Sequence, residues 1–306
     1  MANIYEILRG SKDSSGNYQK MPVIVQGITG TFGSLHAKMM MQYGTNIAGG
    51  VTPGKGGQKF EGKVPIFDTV KEAVNSTGAK ISIMFVPAKF FLGAAKEALD
   101  AGIKLLVAIP EHIPIRDTMQ VLELAKQKDA IVIGPNTPGV MIPDLIKIGI
   151  MPASPFKPGN IAVLSKSGTL LYEISNALSQ AGYGQSITIG IGGDPVNGTR
   201  LIDAFEMIKD DPAIEGIVIV GEIGGDSEEI LAQHIIDTNF KKPIVAYIAG
   251  RNAPKEKRMG HAGAIVMGTY GSAESKVSMF NKANIPVGKR PNEVAMLLSG
   301  KLGSKD

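Results

Sequence analysis

The residue best suited to chemistry in this chain is His261, which stands in the run Arg258-Met259-Gly260-His261-Ala262-Gly263-Ala264. Glycine and alanine on both sides let another backbone, or a phosphate, approach the imidazole closely. A core histidine would want bulk around it, and a surface turn is the plain alternative. An imidazole is neutral near pH 7 and nucleophilic at one nitrogen when a partner fixes the proton on the other. Glu222, in Gly221-Glu222-Ile223-Gly224-Gly225, ends an apolar run and can supply that partner. Ser165-Lys166-Ser167-Gly168-Thr169 lies between a predicted strand and a predicted helix. Its amides and hydroxyls at a helix N-terminus make an anion site by geometry. Together the three stretches describe a histidine that takes up a phosphoryl group held by Ser167 and its neighbours. A phosphohistidine keeps an energy-rich P–N bond and can pass its phosphoryl group to a carboxylate, giving an acyl phosphate that a thiol then attacks.

A second glycine-rich turn, Gly27-x-x-Gly30-x-x-Gly33, follows the first predicted strand and opens the first helix. Its amides face a phosphate at the positive end of the helix dipole. The spacing is not G-x-G-x-x-G. The acid that a dinucleotide site places near the end of its second strand is also missing, because that region reads Ala48-Gly49-Gly50-Val51. Thr52-Pro53-Gly54-Lys55-Gly56-Gly57 brings a lysine there instead. A cation suits a ligand with an extra phosphate on its adenosine half, such as NADP or coenzyme A, and the phosphate chemistry of the second half favours coenzyme A. A nicotinamide-dependent dehydrogenase and a non-catalytic coenzyme A sensor are the rival readings. Of the other histidines, His36 is expected on the surface of the first helix, His112 at a strand end beside Pro110 and Glu111, and His234 on a helix face. No histidine–carboxylate pair has metal-ligand spacing.

The 306 residues are enough for two domains, and 43% hydrophobic with 20% charged residues describes a globular chain. A net charge of +4 with dispersed cations argues against nucleic acid as a partner. No apolar run reaches the length of a membrane span. The first twenty residues lack an apolar core and carry Glu6 and Asp13, so neither a secretory signal nor a transit peptide is expected. The absence of cysteine excludes disulfides, thiolate metal ligands and a thiol nucleophile, and fits a reducing compartment.

Positioning these residues requires a particular order of elements. From Met21 onward short β-branched runs alternate with helical patterns, the signature of parallel sheets covered by helices. The first series has strands at residues 23–25, 46–48, 81–86, 104–109 and 130–133. Its helices run from about 34 to 43 before Gly44, from Thr69 with Glu72 as a capping box, to Gly102, and over 116–127. Met39-Met40-Met41 is expected to pack in the core. Residues 134–159, rich in Pro and Gly, are expected to form a linker with a short extended segment. A second series has strands at 161–164, 186–189, 216–220 and 243–248, with helices through Leu178, near 199–208 and over 227–237. Glycine and proline fall after nearly every strand, at the edge where open α/β sheets bind ligands.

In combination, the stretches around His261, Glu222, Lys55 and Ser167 resemble the α subunits of succinyl-CoA synthetases (succinate–CoA ligases), from about Met21 to beyond Lys276. The resemblance implies an N-terminal extension over 1–20, a Rossmann-like coenzyme A-binding domain over 21–150 and a flavodoxin-like ligase domain over 151–306. By it, His261 is the phosphorylated residue and Glu222 its partner. Thr29, Gly30, Thr31, Phe32, Lys55, Ile109, Pro110 and Glu111 match coenzyme A contacts, and Tyr172 matches the position that helps bind the carboxylate substrate, beside the phosphate site that helix N-terminus geometry gives to Ser167 and Gly168. It further implies a cytoplasmic enzyme of the tricarboxylic acid cycle. That enzyme needs a β subunit with an ATP-grasp domain, in an αβ or (αβ)₂ assembly, where ATP or GTP binds with Mg²⁺. A ligase for another acid, such as malate, is the alternative. Two positions depart from the pattern: Thr137 stands where many members carry cysteine, and Phe32 where a polar residue is usual.

Overall fold

The computed structural model describes residues 4–10, 12, 14–16, 18–251, 260–266 and 271–303. The chain forms two compact units. One holds Met1–Met141, Leu145–Met151 and Val196–Thr199; the other holds Ile142–Asp144, Pro152–Pro195 and Arg200–Asp306.

The first unit contains helix α1 (Ile4–Arg9), strand β1 (Val23–Gln26), helix α2 (Thr31–Tyr43), and strands β2 (Ile47–Val51), β3 (Lys59–Phe60) and β4 (Val64–Phe67). Helix α3 (Val70–Thr77), β5 (Ile81–Met84), α4 (Phe91–Asp100), β6 (Leu105–Ala108), α5 (Ile115–Gln127) and β7 (Ile131–Ile133) follow. The central strands are buried on both faces, as apolar runs such as Val23-Ile24-Val25 require in a parallel sheet. The sheet order is β3-β4-β2-β1-β5-β6-β7, parallel except where β3 pairs antiparallel with β4. Without β3 this is the 3-2-1-4-5-6 order of dinucleotide-binding folds, which reverses between β1 and β5. Val70, Phe91, Leu99 and Val121 from the helices pack against Ile24, Met84, Leu106 and Val132 of the strands.

Several elements differ from the sequence expectation. The sheet has six parallel strands and one antiparallel strand, because the stretch with Lys59–Phe60 and Val64–Phe67 adds an edge hairpin. Helix α2 begins at Thr31, so the last residues of the glycine-rich turn are themselves helical; it ends before Gly44, which takes the left-handed conformation. The Thr69–Glu72 capping box is formed as expected. Of the three methionines only Met40 is fully buried. The supposed linker holds two wholly buried strands, β8 (Gly139–Ile142) and β9 (Ile146–Gly149). Thr45 Oγ1 donates to Lys147 O (2.8 Å) and accepts from Lys147 N (3.1 Å), tying β9 to the end of α2. Helix α1, within the supposed N-terminal extension, buries Ile4, Tyr5 and Leu8.

The second unit contains β10 (Pro158–Ser165), α6 (Gly168–Gln180), β11 (Gln185–Gly190), α7 (Leu201–Ile208), β12 (Gly216–Glu222), α8 (Ser227–Asp237), β13 (Ile244–Ala249), α9 (Ala273–Lys282), β14 (Val287–Gly288) and α10 (Glu293–Leu302). Its strands lie in the order β14-β13-β12-β10-β11, all parallel. Numbered from β10, this is the flavodoxin-like order 2-1-3-4-5, and it reverses between β10 and β12. The division between the units is not one cut in the sequence. Residues 196–199 return to the first unit, where Gly198 N donates to Gly134 O (2.8 Å) and Thr199 Oγ1 to Val132 O (2.7 Å). No helix among the described residues is long and apolar enough to cross a membrane.

Candidate active site

Glu222 is the last residue of β12, a strand whose seven residues are all buried, and it lies at the reversal point of the second sheet. Its carboxylate is 2.7 Å from His261 Nδ1. A carboxylate only accepts, so Nδ1–H donates and Nε2 keeps its lone pair. The backbone supplies the rest of the seat. Gly263 N donates to Gly193 O (3.4 Å), and a Cβ on Gly193 would lie 2.5 Å from two ring carbons of His261. Gly224, at φ 92°, donates to Gly271 O, and a Cβ there would meet Gly263 O at 2.1 Å. The small residues around His261 therefore permit the close backbone approach that their types suggest. Arg258 and Met259 of the same run lie outside the described residues.

The hydrogen bond to Glu222 raises the His261 imidazole above its ordinary pKa; burial opposes this, the Glu222 charge adds to it, Lys166 opposes it and Asp194 adds to it. Behind the pair stands a charge network that sequence reasoning did not assign. Lys166 Nζ is 3.8 Å from Glu222 Oε1 and 3.6 Å from Glu228 Oε1. Glu228, fully buried, accepts from the Glu222 backbone amide (3.0 Å) and pairs with Lys276, which is also fully buried. Lys276 Nζ donates further to Glu229 and to Gly225 O, each at 3.0 Å. Burial alone would raise the Glu228 carboxyl, but Lys166, Lys276 and the Glu222 amide outweigh it and hold the group below its ordinary range.

The Ser165–Thr169 turn joins β10 to α6 beside this network. Part of its donor set is used internally: Ser167 N donates to Ser165 Oγ (3.1 Å), and Ser167 Oγ accepts from Leu170 N (3.4 Å), capping the helix. The amides of Gly168 and Thr169, the first two of α6, make no hydrogen bond among the described residues, so they are open donors at the positive end of the helix. Tyr172 sits one turn further along α6, its ring edge-on to Phe156 at 6.3 Å, and burial pushes its hydroxyl up to about 12.

The remaining expected residues gather in the first unit. The turn 27–30 follows β1 at that sheet's reversal point, and Thr29 Oγ1 donates to Thr52 Oγ1 (3.1 Å), joining it to the loop that carries Lys55. Thr29, Gly30, Thr31, Phe32 and Lys55 are exposed. Ile109, Pro110 and Glu111 follow β6 along the same strand edge, with His112 Nε2 3.5 Å from Glu111. Thr137 is buried and its hydroxyl accepts from Gly139 N (2.9 Å). His36, expected on the helix surface, is instead only 8% exposed, its ring stacked on Phe85 at 5.7 Å and edge-on to Phe32 at 4.6 Å. Helical spacing places His36 one turn beyond the glycine-rich turn, and Phe85, from a distant strand end, closes over it. His234 does lie on a helix face, 2.7 Å from Glu206.

Sequence carried a signal for Lys166, which lies inside the Ser165–Thr169 turn, but none for Lys276, since a charged residue in an amphipathic helix is ordinarily solvated. Comparison with known proteins places both units. The CoA binding domain family matches residues 18–112 and the CoA-ligase family matches residues 164–284. The chain is 48% identical to succinate–CoA ligase [ADP-forming] subunit alpha 2 of Archaeoglobus fulgidus, over 92% of this chain and 97% of the relative. It is 51% identical to the corresponding alpha subunit of Aquifex aeolicus, over 89% of each. Among solved structures, ATP citrate lyase of Methanosaeta concilii in complex with (3S)-citryl-CoA is similar, with a TM-score of 0.83 and 25% identity over 92% of this chain and 50% of that one; the chain thus spans about half of that larger polypeptide. Two domain matches in the expected order and relatives of near-equal length at this identity mean that the chain belongs to the succinate–CoA ligase α-subunit family.

Proposed function

We propose that this chain is the α subunit of a succinate–CoA ligase and that His261 carries the phosphoryl group in its reaction. The observation that carries the reading is the 2.7 Å bond from His261 Nδ1 to Glu222 at the reversal point of the second sheet. With the proton held on Nδ1, Nε2 attacks the terminal phosphorus of a nucleoside triphosphate, the P–O bond to the diphosphate breaks, and the phosphoryl group sits on Nε2. Glu222 balances the positive charge that develops on the ring. The open Gly168 and Thr169 amides, with Ser167 framing them, accept the phosphoryl oxygens. A succinate carboxylate then takes the group as succinyl phosphate, returning the lone pair to Nε2, and Tyr172 is the side chain proposed to help hold succinate.

Coenzyme A, which supplies the thiol that displaces phosphate, fits the first unit. Thr29, Gly30, Thr31 and Phe32 are exposed at the positive end of α2, and Lys55 is an exposed cation on the loop bonded to that turn. Ile109, Pro110 and Glu111 extend this edge. The partner proposed is a β subunit with an ATP-grasp domain, in an αβ or (αβ)₂ complex, holding Mg²⁺ with the nucleotide. The names of the relatives favour succinate over another acid such as malate, and ATP as the nucleotide. The cytoplasm is the compartment proposed, in keeping with a chain without cysteine. The test is incubation of the reconstituted complex with γ-labelled ATP. Acid-labile, base-stable label is expected on this chain and lost in His261→Asn; label surviving that substitution would overturn the assignment.

A further inference from the structure

A hydrogen bond that orients an imidazole with a carboxylate creates a difficulty for the chemistry just described. The same charge that holds Nδ1–H also favours the imidazolium, and an imidazolium has no lone pair with which to attack. Among the described residues, four charged groups stand around or behind the ring. Glu222 at the end of β12 bonds it, Asp194 in the loop after β11 adds a second negative influence, Lys166 in the turn after β10 opposes both, and Glu228 of α8 lies behind Lys166. The neighbouring Lys276 of α9 is spent on Glu228 and Glu229. Among the described residues Lys166 is therefore the cation that faces the Glu222 oxygen not bonded to the ring, 3.8 Å away, with only 14% of its side chain exposed.

We propose that Lys166 is a positioning residue that draws part of the Glu222 charge away from His261, keeping the imidazole neutral for attack, and that the buried Glu228–Lys276 pair anchors Lys166 in that place. The inference rests on the phosphohistidine reading above. It follows from geometry: one carboxylate is shared between an imidazole on Oε2 and an ammonium near Oε1, and that ammonium is shared in turn with Glu228 Oε1. Glu228 also accepts from the Glu222 backbone amide, so one group supports both the main chain of Glu222 and the ammonium beside its carboxylate.

The experiment is the pH dependence of His261 phosphorylation in the reconstituted complex, in single turnover, for wild type, Lys166→Met and Lys166→Arg. Without the cation, more of the imidazole is protonated at acidic pH. Lys166→Met is expected to phosphorylate about ten-fold more slowly than wild type at pH 6 and within about three-fold of it at pH 9. Lys166→Arg, which keeps the charge, is expected to restore the wild-type profile. A parallel readout needs no turnover. NMR titration of the full chain, with the His261 signal identified by its loss in His261→Asn, is expected to show the imidazole protonating at higher pH in Lys166→Met. An unchanged His261 titration, or a rate lowered equally at every pH and not rescued by arginine, would overturn the role given to Lys166. Failure of wild type to take label on His261 would instead strike the underlying reading, and the titration would still decide the inference.

Discussion

His36 and His261 are the same side chain placed in opposite surroundings. His36 is packed between Phe32 and Phe85, with its buried Nδ1 making no hydrogen bond among the described residues. Burial, and secondarily the charge of Lys147, hold its pKa below the ordinary value. His261 rests on bare backbone, and its bond to Glu222 holds its pKa above that value. Aromatic bulk makes a histidine hard to charge and gives it no direction. Glycine leaves room for a carboxylate to direct the proton, and the neighbouring charges then set how readily the ring protonates.

Substituting each histidine in turn separates the two environments most sharply. His261→Asn is expected to remove all labelling from nucleotide, whereas His36→Asn leaves labelling within a few-fold of wild type; a loss of label in the second variant would erase the distinction. Next in size is Gly193→Ala. The added methyl would lie 2.5 Å from the ring, so the imidazole must leave its seat. Because a displacement of about 1 Å can slow chemistry roughly a hundred-fold, single-turnover phosphorylation should fall by about that factor. An alanine variant at wild-type rate would show that the seat is dispensable. Glu222→Gln keeps a hydrogen-bonding group but removes its charge, and is expected to slow phosphorylation and dephosphorylation about ten-fold or more.

The smallest effect sharpens the other side. A lowered pKa means that folded His36 binds a proton less readily than the unfolded chain does, so the unfolded state carries more protons and stability falls as pH drops below the ordinary imidazole value of 6.5. The contribution is fully present above that value. In thermal melts between pH 7.5 and 5, His36→Leu should lose less stability than wild type. An equal loss in both proteins would remove His36 from the account.

The alternation of strands and helices was legible wherever apolar runs ended in glycine or proline, and the Ser227–Asp237 helix and the Thr69 capping box were read at their true positions. The elements that escaped notice share a cause. Strands β3 and β4 are only two and four residues long and carry charge or proline, and β8 and β9 hide among Gly and Pro where composition suggests a loop. Residues 196–199 join the first unit through hydrogen bonds from Asn197, Gly198 and Thr199 that leave no periodic trace. In the second unit the His261, Glu222 and Ser167 stretches stood out because glycine and small polar residues interrupt apolar runs there. Lys276 and Lys147 did not, since each is a lysine almost wholly enclosed by partners from elsewhere in the chain. Sequence displays the groups proposed to meet the ligand and conceals those that hold them.

The registry of β12 makes strand length matter as much as the identity of the acid. Val220 pairs with Ser165 on one side and Glu222 with Ala249 on the other, fixing which way the final side chain points. Since successive residues alternate between the two faces of a sheet, deleting a single valine or isoleucine from the interior of this strand would turn Glu222 to the opposite face. Such a shortened chain would keep every residue of the motif and lose the histidine's partner.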